Sequence, residues 1–360
     1  MKEVYSINGN IEYAIFDKHT AIPDLNEQLI SLYETPWCDP VYLEINEPSF
    51  SVANCYKLFL YENGFLKHLL LLQNRGKRKL RVWNYCFKIS IQDIEIIRNI
   101  IFSECKPVKI ITFRNLFLDI VEKTPLMITF KTMSDMIIEL PESMDAYMKS
   151  LGSTTRKSLR NSHNRIEKDK LDFKISYFEK ENITREQIVS LVELNRDRMK
   201  GKWIVSDNTN TEIERLIRYA RICGVMCLST VDEKIVGGTL MTVLGNHGFS
   251  NVTGFDNAYN KYSIGSIVSI NEVRYMIETQ RKFLHLLWGE QDYKKRFNAE
   301  LHNIYDVIVF KKRIVFFLFS ILYDVRTMYT KIKNRLKQNV KFSEVFNKIR
   351  YKLREKTIEK

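Results

Sequence analysis

Short apolar runs of strand length alternate along this chain with longer segments whose apolar residues recur every three or four positions. Cys55–Tyr61 and Leu66–Gln73 are two such runs, and Glu62-Asn63-Gly64 lies between them. Asn-Gly between apolar runs predicts a hairpin, because a type I′ turn needs positive φ at both central residues. Lys79–Ser90 predicts a further strand, Ile91–Cys105 an amphipathic helix and Val108–Phe113 a strand. The later part repeats this order. Arg185–Lys200 and Thr211–Arg221 have helical spacing, and Val225–Val231 and Ile235–Gly245 form a hairpin around Asp232-Glu233-Lys234. His247–Phe255 then reads as a strand, Ile264–Gln280 as a helix and Phe283–Trp288 as a strand. Hairpin, strand, helix and strand thus occur twice in order, without residue-by-residue identity. The pattern predicts an α/β protein of two related halves, each a mixed central sheet flanked by helices.

Composition locates the seam. All seven prolines lie at or before Pro141, and ten of thirteen glycines at or after Gly152. A boundary is therefore expected near 141–155, giving an N-terminal half over 1–150, a second half over 151–310 and a tail over 311–360. Charge separates the tail further. It holds 15 Lys and Arg against 4 Asp and Glu, and so carries 11 of the 13 net positive charges. The nearly neutral remainder argues against a nucleic-acid-binding body. Ile314–Tyr323 is only about ten apolar residues where a membrane span needs about 20. The tail is expected to be an amphipathic basic helix, lying on an anionic membrane face or packed back on the protein. Six scattered cysteines without CxxC or zinc-finger spacing predict reduced thiols and no metal site. The first residues lack the apolar core of a signal peptide, so a cytoplasmic protein is expected.

Candidate chemistry concentrates at 283–297, Phe-Leu-His-Leu-Leu-Trp-Gly-Glu-Gln-Asp-Tyr-Lys-Lys-Arg-Phe. An apolar strand ends at Gly289, and acids, a phenol and cations follow. Open α/β sheets place their chemistry outside the carboxyl ends of strands, although an ordinary strand-to-helix connection has the same pattern. Between the halves lies the basic segment 152–168, where Ser153 or Thr154 can cap a helix and Arg156 and Arg160 share a face. It reads either as a solvated bridge or as a phosphate-binding face.

Four features together resemble the GNAT acyltransferase superfamily, in its CelD/BcsL-like branch, which is related to the FemABX aminoacyltransferases. They are the basic connector 152–168, Val-Gly-Gly-Thr-Leu (236–240), Tyr-Ser-Ile-Gly-Ser (262–266) opening a helix, and Gly-Glu-Gln-Asp-Tyr-Lys-Lys-Arg-Phe (289–297). The resemblance covers about 150–310 and implies two GNAT-like halves with an acyl-CoA such as acetyl-CoA as co-substrate. The strand ending before Asp256 and the strand 283–288 would splay apart to hold the pantetheine arm. Phe255, Tyr262, Ser263, Gly265 and Ser266 would line the cofactor site, with the pyrophosphate at the helix N-terminus. A single Gly265 between Ser263 and Ser266 departs from the superfamily's loop of spaced glycines. Backbone N–H groups near Gly254–Phe255 would form an oxyanion hole.

By the same resemblance Tyr293 would assist the departing thiolate. At reference values a phenol (about 10) is a weaker acid than a thiol (about 8.5), so it would act mainly by hydrogen bonding. Glu290 or Asp256 would deprotonate the acceptor amine, although Glu290 can equally pair with Lys294 four residues on. Arg196, Lys202, Trp203 and Lys294 would contact the acceptor, with Trp203 suited to stack on a sugar. His247, His285 and His302 read as loop or core residues. The resulting expectation is an N-acyltransferase acting on an amino sugar, lipid- or nucleotide-linked, in cell-envelope polysaccharide synthesis. Two alternatives stay open: a FemABX-like enzyme using aminoacyl-tRNA, and a silent GNAT-fold scaffold held at a membrane by its tail.

Overall fold

The structure, a computed structural model, describes all residues except 1–4, 9, 122–123, 201–209 and 320–360. It divides into two units. Among the described residues, the first comprises those up to Asp135, 288–290 and 301–319; the second comprises those of 136–287 and 291–300.

In chain order the first unit begins with β1 (Tyr5–Asn8), β2 (Ile11–Phe16), α1 (Leu25–Tyr33), α2 (Pro40–Asn46), β3 (Tyr56–Glu62) and β4 (Phe65–Asn74). It continues with β5 (Lys79–Val82), β6 (Lys88–Ile89), α3 (Ile91–Glu104), β7 (Ile110–Leu118) and most of β8 (Met127–Glu139). Asn63 and Gly64 have φ of 53° and 79°, so the β3–β4 hairpin turns as its Asn-Gly dictates. In α3, the Ser90 side chain accepts from Asp93 N, and Ile94, Ile97 and Ile101 bury one stripe against the sheet. Each such side chain contributes about 1.5–3 kcal/mol; Ser90→Ala would cost about 1 kcal/mol.

The expected strand over 79–90 breaks into β5 and β6, with Cys86 at φ 54° between them. The buried Asn84 amide stands in for the missing ladder. Its Oδ1 accepts from Leu71 N at 2.7 Å and its Nδ2 donates to Leu69 O at 3.1 Å. A side-chain amide can satisfy strand backbone where the chain itself turns away.

The second unit comprises α4 (Met144–Ser150), α5 (Ser153–Lys168), β9 (Phe173–Glu179), α6 (Arg185–Lys200), α7 (Asn210–Cys223) and β10 (Gly224–Val231). It goes on with β11 (Lys234–Leu244), β12 (His247–Phe255), α8 (Ile264–Glu278), β13 (Phe283–Trp288) and α9 (Asp292–Lys295). Its sheet runs β13, β12, β11, β10, β9, antiparallel except for the β12–β13 pair. Asp232 and Glu233, at φ 49° and 65°, close the β10–β11 hairpin in two residues. Ile188, Leu191 and Val192 of α6 and Ile213 and Ile217 of α7 pack against Met226, Leu240 and Val252. Residues of α8 fill two other clusters, so that helix is buried almost all round.

Two expectations need correction. The seam does not follow the composition shift at 141–155 but falls between Asp135 and Met136, inside β8. Moreover β14 (Glu300–Phe310), the last strand, returns to the first unit, where it pairs antiparallel with β7. Its buried Val307 and Val309 belong to the α3 core, and that burial outweighs proximity in sequence. The expected tail begins helically at 313–319, with Phe316 and Phe319 against Phe310. Ile314, Phe317 and Leu318 are exposed. Its remainder lies outside the described residues. No helix among the described residues is long and apolar enough to cross a membrane.

Candidate active site

The β12–β13 ladder stops early. Its partners are His247 with Phe283, Gly248 with Leu284 and Phe249 with His285, after which β12 continues for six residues without pairing to β13. A bulge sits where they part, since Leu240 pairs with Val252 and Met241 with Ser250, leaving Asn251 unmatched. Bulges re-aim side chains and end pairing. Asp256 N donates to Val236 O, toward β11. Antiparallel alternation then turns Gly254 N–H the same way and points the N–H groups of Thr253 and Phe255 into the opening. The Phe255 N–H therefore faces the opening, and the Gly254 N–H does not. What Gly254 supplies is room: a Cβ there would meet Leu191 O at 2.7 Å and Asn195 N at 2.8 Å, both backbone of α6. Asn195 in turn donates from Nδ2 to Thr253 O at 2.7 Å, fixing α6 on this strand.

The group that the sequence reading missed is Glu272. It lies on α8, 1% exposed, and its Oε1 accepts from Ser250 Oγ at 2.6 Å. Burial pushes its carboxyl up to about 7, against hydrogen bonds from Ser250 and Thr239 and the nearby Lys294 cation, which pull it down. Ser250, Thr239 and Thr253 lie within 3.3–3.5 Å of one another, so a chain of hydroxyls leads from half-buried Ser250 and Thr253 to the carboxyl. The signal was present: Glu272 is the one acid in the otherwise uncharged stretch 262–273. A carboxylate there costs too much to be casual.

Tyr293, 44% exposed, lies within electrostatic reach of Glu272 and of Arg198 on α6. Desolvation, then the charge of Glu272, raises its pKa, while Arg198 opposes the rise. Tyr293 thus stays protonated as a hydrogen-bond donor. The Arg198 guanidinium sits 5.3 Å from the Phe255 ring, and its buried Nε has no hydrogen-bond partner among the described residues.

Other expected site residues have different duties. Asp256 caps the turn 257–262 by accepting from Ala258 N at 2.9 Å and pairs with Lys234 at 3.2 Å. Those contacts hold its carboxyl below the usual range, so it is a poor base. Glu290, with the first unit, is 3.5 Å from both Lys131 Nζ and Ser134 Oγ. Lys294 is buried and donates to Leu287 O at 2.9 Å, tying α9 to a β13 residue held at φ 58°. It is a brace, not an exposed acceptor contact. Tyr262 is buried, its hydroxyl donating to Asp169 at 2.6 Å. Ser263 starts α8 at φ 53° without a side-chain cap, and Ser266 N–H returns to Ser263 O. Gly265 turns its open side to the Phe255 ring, where a Cβ would come within 2.8 Å. Packing accounts for it.

The connector is capped by Gly152 without a side-chain bond, not by Ser153 or Thr154. Arg156 donates to Lys149 O and Leu151 O, so it serves the end of α4. Arg196 lies half-buried on α6, while Lys202 and Trp203 fall outside the described residues. His247 and His285 meet at the closed end with Nδ1 and Nε2 2.9 Å apart, and burial pushes His247 down to about 4.

A sequence model for the acetyltransferase (GNAT) domain matches residues 153–295, the stretch that carries the splayed strands, Glu272 and Tyr293. The second unit contains a GNAT domain. The matched domain is that of an acyltransferase. Among solved structures, FemX superposes with a TM-score of 0.56 at 9% identity, over 81% of this chain and 96% of that one. A conserved protein of unknown function from Bacteroides thetaiotaomicron VPI-5482 gives 0.50 at 12%, over 81% and 98%. At such identities the likeness speaks for the fold alone. No curated protein matches the chain. The described residues hold no group of three or more His, Cys, Asp or Glu able to bind a metal ion.

Proposed function

We propose that this GNAT domain transfers an acyl group from an acyl-CoA to an amine, with Glu272 as the base. The observation that carries the reading is the buried Glu272 carboxyl, poised near neutrality and linked by hydroxyls to the place where β12 leaves β13. A general base works best with a pKa near the working pH.

The acyl-CoA supplies an activated carbonyl and a thiol leaving group. The residues present fit it: the Phe255 N–H faces the opening, and the first turn of α8 has N–H groups without intrahelical acceptors, at the positive end of the helix dipole. Ser250 takes a proton from the attacking amine and passes its own to Glu272. Phe255 N–H offers a hydrogen bond to the carbonyl oxygen as charge develops there. Tyr293 donates to the sulfur as the C–S bond breaks. Arg198 presents its unpartnered Nε–H to an anionic or carbonyl group of either substrate.

For the acceptor we favour an amino sugar bound for a cell-envelope polysaccharide, with the exposed Ile314, Phe317 and Leu318 beside Lys311, Lys312 and Arg313 touching the membrane face. The first test is the melting temperature of the full chain with acetyl-CoA, longer acyl-CoAs and free CoA. A ligand at about a hundred times its dissociation constant adds about 2.7 kcal/mol. A shift with one acyl-CoA supports the reading. No shift with any, together with stabilisation by aminoacyl-tRNA, would replace it with aminoacyl transfer.

A further inference from the structure

We propose that the second unit has a rear proton outlet, in which Thr239, Cys227 and Tyr177 carry the proton of Glu272 to solvent at the β9 edge of the sheet. This outlet rests on the reading of Glu272 as a base. Strand register sets the row. Tyr177 on β9 pairs with Cys227 on β10, Cys227 with Thr239 on β11, and Thr239 with Thr253 on β12. Direct partners have Cβ atoms about 5 Å apart, so four polar side chains cross the sheet in one line. Val225 and Met241, each two residues from the line, pack with Val273 and Met276, so this face lies under α8. Cys227 and Thr239 are fully buried there. Apolar side chains would fill such positions without the cost of desolvating a hydroxyl, as Val225 and Met241 do one row along.

Each link faces the next. Thr239 hydrogen-bonds to the Glu272 carboxyl, and Glu272 acts electrostatically on the Cys227 thiol. The Tyr177 hydroxyl is close enough to hydrogen-bond to Cys227, and it donates to Asn271 O at 3.2 Å. Desolvation, then Glu272, pushes the thiol up; desolvation, then Cys227, pushes the phenol up. Both stay protonated, and a group that stays neutral can take a proton on one side while releasing its own on the other. Glu272 gives its proton to Thr239, Thr239 its own to Cys227, Cys227 its own to Tyr177, and Tyr177 its own to water. One proton leaves, and no charge remains on the row.

Tyr177 is half-buried, its ring 5.4 Å from that of Tyr275. Exposed Arg274 and Glu278 act on it from α8. Glu179, exposed and on the same face of β9, accepts from the Tyr275 hydroxyl at 2.7 Å, so the row ends beside a surface carboxylate. From α9, Lys294 and Tyr293 also interact electrostatically with Glu272. At the front, Ser250 and Thr253 open toward the place where β12 leaves β13, which substrates cover during turnover. A proton taken up by Glu272 must leave before it can act as a base again. The rear row lets it leave while the front is covered.

Two outlets in parallel allow a test without substrate. The full chain is jumped from about pH 5 to about pH 8.5, across the Glu272 titration at about 7, and the carbonyl infrared band of its protonated carboxyl is followed as it disappears. Glu272→Gln identifies the band. Ser250→Ala removes the front link and leaves the rear row in place. Cys227→Val and Tyr177→Phe, each in that background, should slow loss of the band about tenfold, the rate equivalent of one lost hydrogen bond. In the native background, with the front open, each should have little effect. Equal rates in Ser250→Ala with and without both substitutions would overturn the outlet and leave Glu272 as the base. A band that Glu272→Gln leaves unchanged would overturn Glu272 as the titrating group, and the outlet with it.

Discussion

Replacing Glu272 with Gln separates a catalytic burden from a structural one, because the two have opposite effects. The Glu272 carboxyl rises from 4.5 in the unfolded chain to about 7 in the fold. A raised carboxyl pKa means that the folded state holds a proton that the unfolded chain has released. Stability from this group is therefore complete below pH 4.5 and is lost as pH rises through 7. The difference is worth about 3 kcal/mol above pH 7 and less than about 1 kcal/mol at pH 5. Gln keeps the size and an acceptor for Ser250 but carries no charge. Glu272→Gln should thus melt higher than the native protein at pH 8, by on the order of 6–12 °C if the second unit melts as a domain of ordinary size, and only slightly higher at pH 5. Melting curves of the two proteins across pH 5–8.5 provide the assay, and their difference cancels every other titrating group. Transfer activity should fall by about 10²–10⁴ with loss of the pH limb near 7. A gap that stays constant with pH, or a variant that melts lower throughout, would refute the reasoning.

Tyr293→Phe should lower kcat about 30- to 100-fold through the lost hydrogen bond to a charged sulfur, while urea unfolding changes by less than about 0.5 kcal/mol because the residue is 44% exposed. Asp256→Asn should leave kcat within about twofold, since an amide oxygen can still cap Ala258 N; Asp256→Ala should cost about 1 kcal/mol on denaturation. A large kcat loss in Asp256→Asn would restore Asp256 as a base. Gly254→Ala should destabilise by about 1–3 kcal/mol in urea, because its methyl would meet α6 backbone rather than a movable side chain. If Glu272→Gln and Tyr293→Phe both preserve the cellular phenotype while deletion of 311–360 abolishes it, the chain acts as a scaffold.

Local chemistry made much of this fold readable. Asn63-Gly64 needs positive φ and produces its hairpin wherever the strands go, and the stripe of Ile94, Ile97 and Ile101 needs only a sheet to cover it. The GNAT likeness followed from short motifs with chemical reasons behind their residues. Tertiary structure decided the roles. Asp256 and Lys294 have the residue types of a base and an acceptor contact, but a turn cap and the Leu287 carbonyl claim them. Glu272 sits among apolar helix residues, and only packing shows which hydroxyls reach it and how far desolvation moves its pKa. The seam inside β8 and the return of β14 to the first unit follow from strand pairing between residues far apart in sequence, such as Ile111 and Val309. Backbone and capping preferences act within a few residues and are written in the local sequence. Desolvation, charge coupling and strand order depend on which distant segments meet, and folding alone determines that.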